Sequence, residues 1–205
     1  MLDGHFVIEH DARFRSGRFF NFNGTAGIWR RSAISDAGGW EHDTLTEDMD
    51  LSYRAQLRGW KFVYLTSVET PAEIPVEMAS FKSQQHRWAK GSIQVAKKML
   101  PIILKSDVPF KVKTEAFFHL TNNLAYPLMI LLALLLLPNL LLRTEHGIRE
   151  VFLIDLPLFF GTTASIATFY VVAHRSLYGG FWRAFAKVPM LMSLGIGLSI
   201  NNAKA

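Results

Sequence analysis

Residues 120–142 contain no charged side chain, and residues 130–137 read ILLALLLL. A helix of about 20 apolar residues crosses the hydrocarbon core of a bilayer. Such a stretch buries its backbone polar groups in its own hydrogen bonds, so it excludes loops and open sheet edges there. Pro127 and Pro138 lie inside it and are expected to kink it against neighbouring helices. The chain therefore reads as membrane-bound in its second half, with whatever chemistry it holds placed ahead of the first span.

The rest of the apolar half fits that reading. Residues 151–173 form a second run, with Asp155 near its start and small residues (Gly161, Ala164, Ser165) suited to close helix packing. Residues 188–200 form a third run, expected to be re-entrant, interfacial or a partial span. Lys97, Lys98, Lys105, Lys111 and Lys113 precede the first span, and Arg175, Arg183 and Lys187 follow the second. The positive-inside rule then puts the N-terminal region and the loop 174–187 in the cytoplasm, as in a multi-pass protein of the plasma (inner) membrane. The competing reading of the first run is a buried core helix of a soluble protein.

Residues 1–113 hold nearly all the charge. Overall the chain is 50% hydrophobic and only 19% charged, against about 25% in soluble domains. Its net charge of +5 comes from basic residues interspersed with acids, which fits an anionic membrane surface or a phosphorylated donor better than nucleic acid. There is no cysteine, which excludes disulfides and thiolate metal sites. Residues 1–20 carry too many charges to contain the apolar region of a secretory signal, so none is expected among them.

Within this polar half, residues 19–23 (FFNFN) alternate as a strand and stop at Gly24. Residues 30–37 suggest a short helix ended by Gly38 and Gly39. Thr46 stands as an N-cap with Glu47 and Asp48 in the following turn, where acids suit the helix dipole. Met49, Tyr53 and Leu57 make the buried stripe of that helix, and Gly59 marks its end. Residues 60–65 (WKFVYL) read as a buried strand. Residues 77–100 read as a long amphipathic helix with Met78, Phe81 and Trp88 near one stripe. Strands alternating with helices define an α/β class, although at most three strands are visible, too few for an independent sheet. The expected organisation is a half catalytic domain over 1–76, an interface helix and connector over 77–113, and a membrane region over 114–205.

Two strings here carry chemistry, each with a plain alternative. A helix N-terminus keeps a carboxylate ionised, so Asp48 is placed to act as general base to a hydroxyl; equally, Thr46-Glu47-Asp48 is what any capped helix start looks like. Gln84, Arg87 and Trp88 fall at i, i+3 and i+4 and share one helix face. Arg offers a donor fork for pyrophosphate oxygens, Trp a flat surface for a sugar ring. The alternative is an amphipathic helix lying on the membrane with Trp at headgroup level. Asn23-Gly24-Thr25 alone is a strand ending in a glycine turn. His86 reads as a surface side chain, and the other histidines show no metal-ligand spacing.

In order, FNGTA, TEDMDL and QQHRW ahead of membrane helices resemble the processive glycosyltransferases of family 2, within the cellulose synthase superfamily and its mannan-synthase-like branch. The resemblance covers residues 18–100, with the spans following more loosely. It implies a GT-A-like α/β fold and inverting transfer of a hexose from a nucleotide-sugar donor to a growing β-linked polysaccharide acceptor. It places catalysis on Asp48 with its neighbour Glu47, the donor pyrophosphate and acceptor at Gln84, Arg87 and Trp88, and the acceptor end at Asn23, Gly24 and Thr25. It also implies a divalent cation, Mg or Mn, held by a separate D-x-D site expected upstream of residue 1, since the one Asp-x-Asp string here, Asp48-Met49-Asp50, belongs to the T-E-D helix. The chain is accordingly expected to be an internal fragment, truncated at both ends and inactive alone. Two other readings stand beside this one: transfer to a polyprenyl phosphate, which the Q-x-x-R-W string disfavours, and a non-catalytic membrane protein whose basic helix binds anionic lipid.

Overall fold

The computed structural model describes residues 4–143 and 151–205. The loop between the first two expected spans falls on 144–150, outside the described residues. Every regular element described is helical. The chain divides into two units, one of His5–Ala125 with Asn201–Ala205, the other of Tyr126–Ile200 with the first residues.

The first unit opens with a wide π-type turn, Gly4–Glu9, running into α1 (His10–Arg15). Then come α2 (Arg31–Asp36), α3 (Glu47–Leu57), α4 (Met78–Lys105) and α5 (Phe110–Thr121). α3 is the centre of this unit because both of its flanks are apolar. One flank sets Tyr53 against Val95, Ala96, Met99 and Ile103 of α4 and Ala116 and Leu120 of α5, with Met49 and Leu57 packed alongside. The other sets Leu51 and Ala55 against Ala37, with Trp29, Ile34, Trp60 and Phe62 around them. Tyr53 is fully buried, and its hydroxyl shares a 2.7 Å hydrogen bond with the buried His119 that ties α3 to α5. α3 stops where expected. Gly59 takes φ +92°, a left-handed geometry costly to any side chain, so that its N–H reaches the Gln56 carbonyl and the Trp60 N–H that of Ala55.

Three expectations need correction. No β-strand occurs among the described residues: 19–23 and 60–65 are extended but make no ladder with each other. They meet through rings instead, Phe20 lying 5.6 Å from Phe62 and 6.0 Å from Tyr64. The physical reason is that α3 side chains take up the backbone groups of residues 20–24, as described below. Second, the buried stripe of α4 begins only at Ala89 and continues through Ser92, Val95, Met99 and Ile103, while Met78 is exposed and Phe81 and Trp88 are only half-buried. Third, the last helix is longer than the 188–200 run.

The second unit holds α6 (Ala125–Arg143), a π-type turn (Val151–Asp155), α7 (Leu156–Tyr178) and α8 (Phe181–Ala203). α7 packs on α8 through Val171, Ala184 and Val188. Among the described residues, three helical stretches are long and apolar enough to cross a membrane: Phe110–Asn139, Phe152–Tyr178 and Phe181–Ala203. The first two contain most of the expected spans 120–142 and 151–173. The third starts at Phe181 because Arg183 and Lys187 sit within a helix whose remaining residues are largely apolar.

Candidate active site

Asp48 lies in the first turn of α3, half-buried, and both of its carboxylate oxygens are engaged. The Gly24 N–H donates to Oδ2 at 2.7 Å and the Met49 N–H to Oδ1 at 2.8 Å. Burial pushes its pKa above the usual carboxylate value. The two backbone donors oppose that shift, and the neighbouring charge of Glu47, itself exposed, adds to it. The sequence pointed to a helix terminus that keeps Asp48 ionised; in the fold, loss of water outweighs that effect and makes the carboxylate more basic.

Thr46 occupies the N-cap position, but its hydroxyl makes no cap bond and is buried without a partner. Its side chain is turned against Gly91 of α4, where a Cβ would sit 2.5 Å from its methyl group. The Leu45 N–H donates to Gln94 Oε1 at 2.9 Å. α4 thus meets the start of α3 at Gly91 and Gln94, one helical turn beyond Arg87 and Trp88. Arg87 is exposed and Trp88 half-buried. Gln84 is half-buried with a buried Oε1 that has no partner. His86, read from the sequence as a surface side chain, is half-buried, and its Nδ1 lies 2.9 Å from the Asn201 carbonyl, to which it donates.

The residues expected at the acceptor end are divided in their placement. Gly24, at φ +56°, bends the chain in a conformation that favours glycine, and Thr25 and Gly24 are exposed next to Asp48. Asn23 is different: its amide points inward. Nδ2 donates to His10 Nδ1 at 3.0 Å, and Oδ1 accepts from Asn21 Nδ2 at 3.3 Å. His10 Nε2 in turn donates to Asn21 Oδ1 at 3.1 Å. This pattern requires the neutral imidazole carrying its proton on Nε2. Burial, above all, holds the His10 pKa down to about 4. Asn23 therefore shapes the turn from within. His10 was invisible in the sequence, where it is one histidine among seven with no spacing to mark it.

Three acids, Glu41, Asp43 and Asp50, bring one oxygen each within 4.8 Å of one another. The ammonium of Lys98 already sits among them, in contact with Glu41 and 2.9 and 3.1 Å from Asp43 and Asp50. Arg54 pairs with Asp50 from the other side at 2.7 Å. Lys98 is partly buried, which disfavours its charge, but its three carboxylates more than compensate and raise its pKa. With two cations in place this donor set does not fit a divalent ion; it is an ion-pair cluster that fastens residues 41–50 to α4.

A cleft of about 490 Å³ lies between the two extended segments, lined by Phe20, Phe22, Trp29, Phe62 and Tyr64 together with Asn23, Arg30 and Lys61. Asp48, Gln84, Arg87 and Trp88 do not line it.

Residues 4–200 match the family model described as glycosyl transferase family group 2. Glucomannan 4-beta-mannosyltransferase 1 of Oryza sativa subsp. japonica is 45% identical over 60% of this chain and 23% of its own length. Glucomannan 4-beta-mannosyltransferases 2 and 9 of Arabidopsis thaliana are 40% identical over 70% of the chain and 35% identical over 93% of it, covering 28% and 36% of their own lengths. The chain thus spans about a quarter to a third of these relatives. No solved structure matches it.

Proposed function

This chain belongs to the glycosyl transferase family group 2, and from that premise we propose that it is the acceptor-facing part of an inverting, membrane-bound polysaccharide synthase. The reaction is transfer of a hexose from a nucleotide-sugar to the end of a growing β-linked polysaccharide. The names of the relatives favour mannose and a glucomannan-type product. In this proposal the chain contributes to an α/β, GT-A-like domain. It lies on the cytoplasmic face of a plasma (inner) membrane, crossed at least by the first two apolar stretches.

The observation that carries the reading is the state of Asp48. A half-buried carboxylate with raised pKa, fixed by one hydrogen bond to each oxygen, and next to an exposed glycine turn is well suited to take a proton from an acceptor hydroxyl. Glu47 favours its basicity through charge. Gly24 and Thr25 line the approach of the acceptor, while Asn23, with both ends of its amide engaged, supports the turn. Arg87 neutralises the departing nucleoside diphosphate, Trp88 supplies a stacking face for a sugar ring, and Gln84 holds either partner by a hydrogen bond. A divalent cation would neutralise charge on the departing pyrophosphate, but among the described residues the one acidic cluster, Glu41, Asp43 and Asp50, is already filled by Lys98 and Arg54.

The test joins this chain in frame to the donor-binding part of the rice relative and follows nucleoside diphosphate release and polymer extension. Asp48→Asn is expected to lower turnover about 10²–10⁴-fold while donor binding persists. With the native Asp48, turnover should fall as pH drops through a carboxylate pKa above the ordinary value of 3.8. If Asp48→Asn kept more than about a tenth of the turnover, Asp48 is not the base.

A further inference from the structure

The extended segment at residues 20–24 is bonded to a helix in the way strands are bonded to one another. The Phe20 N–H donates to Gln56 Oε1 at 3.2 Å, the Phe22 N–H to Ser52 Oγ at 2.8 Å and the Gly24 N–H to Asp48 Oδ2 at 2.7 Å. Alternate N–H groups of an extended chain face one side and recur about every 6.6 Å. Every fourth residue of a helix faces one side and recurs about every 6.0 Å. Residues 20, 22 and 24 therefore run antiparallel to 56, 52 and 48, nearly in register, and side-chain oxygens replace the carbonyls of a neighbouring strand.

The middle rung has little freedom. Ser52 is buried, and its single hydroxyl proton is donated to the Asp48 carbonyl, which leaves its lone pairs for the Phe22 N–H. The Gln56 amide is equally committed: its Nε2 donates to the Phe20 carbonyl at 2.8 Å and to the Ser52 carbonyl at 2.9 Å. Each rung is braced by the next, and the last rung is the carboxylate of Asp48.

We infer that Ser52 is a positioning residue of the transfer reaction: by fixing the register of residues 20–24 against α3, it holds the Gly24 N–H on the Asp48 carboxylate. Its functional meaning rests on the reading of Asp48 as the base; the ladder itself does not. Loss of the Ser52 oxygen leaves the Phe22 N–H without its acceptor. The segment then shifts toward solvent, and Asp48 loses the backbone donor that most opposes its desolvation.

The experiment uses the 205-residue chain in detergent micelles, labelled with 13C at aspartate carboxyls and 15N at amides, so that its outcome does not depend on catalysis. In Ser52→Ala, amide exchange at Phe22 and at Gly24 is expected to quicken about tenfold or more, and the Asp48 titration to move further up. Faster exchange at Phe22 alone, with Gly24 and Asp48 unchanged, overturns the proposal. If Ser52→Ala does not fold, the unsubstituted chain decides it. The Phe22 amide should follow the same pH midpoint as Gly24 when Asp48 titrates, and a Phe22 amide that stays flat while Gly24 titrates overturns the ladder. In the joined polypeptide, Ser52→Ala should lower kcat and move the acid limb upward with the donor KM unchanged. Coupled titration in a polypeptide that transfers no sugar supports the ladder and counts against the transfer reading.

Discussion

Gly91→Ala sets two known effects against each other at the contact between α3 and α4. In an open helix interior the change stabilises by about 1 kcal/mol, because alanine loses less backbone entropy than glycine. Here the added Cβ would lie 2.5 Å from Thr46 Cγ2, 2.7 Å from Oγ1 and 3.0 Å from Cβ. Carbon atoms pack best at about 3.5–4.0 Å, so the neighbour must retreat by about 1 Å. A rotation of Thr46 moves its methyl and hydroxyl but not its Cβ, and the Met49 N–H that a rotated hydroxyl would seek already donates to Asp48. Overpacking of this kind costs about 1–3 kcal/mol. Net destabilisation of about 1 kcal/mol is therefore expected in Gly91→Ala. Thr46→Ala removes the methyl along with a buried hydroxyl that has no partner. In the double variant the alanine at 91 should then cost at least about 1 kcal/mol less than it does alone. The assay is a double-mutant cycle on denaturant unfolding in detergent, followed by helical circular dichroism. A stabilised Gly91→Ala that shows no coupling to Thr46→Ala would refute the close approach.

Two further outcomes follow from buried polar groups. His10, with a pKa held down to about 4 against 6.5 in the unfolded chain, binds fewer protons folded than unfolded within that window; stability should therefore fall as pH drops below about 6.5, by about 2 kcal/mol at pH 5. Urea midpoints at pH 7.5 and pH 5 should show this slope, flattened in His10→Gln; an equal slope in both proteins would exclude His10 as its source. Tyr53→Phe removes the hydroxyl that His119 bonds at 2.7 Å inside the core and should cost about 1–3 kcal/mol, read as a lower unfolding midpoint, with no change contradicting the buried bond.

The parts of the fold set by local rules were legible in the sequence. The leucine run announced a membrane-length helix, and Gly59 ended α3 through a cap that needs only neighbouring residues. The order of FNGTA, TEDMDL and QQHRW pointed to the glycosyltransferase family that the match over residues 4–200 bears out. The misreadings concern groups whose partners are distant in the chain. The FFNFN alternation promised a strand, yet the hydrogen bonds of residues 20–24 run to a helix more than twenty residues away. Thr46 has the right chemistry for a cap, but tertiary packing against Gly91 turns it away. Hydrogen-bonding side chains recurring every fourth residue at 48, 52 and 56, on one face of α3, were a legible sign of the ladder. Nothing local to His10 foretold that it would hold Asn21 and Asn23.

The Lys98 cluster has a consequence for the timing of synthesis. Residues 41–50 take several of their partners from α4: Lys98 bonds Glu41 and Asp43 across separations of 57 and 55 residues, and Gln94 bonds the Leu45 N–H across 49. At about 5–20 residues per second, a ribosome needs roughly 3–10 seconds to cover that distance. During that interval Arg54 is the one cation these acids have, pairing with Asp50 at 2.7 Å and Glu41 at 3.6 Å, while Asp43 and the Leu45 N–H wait for Lys98 and Gln94. The loop leading into α3 thus reaches its final surroundings only when α4 has been made. A nascent chain stalled before Lys98 should leave residues 41–46 open to protease, and one stalled well beyond it should protect them.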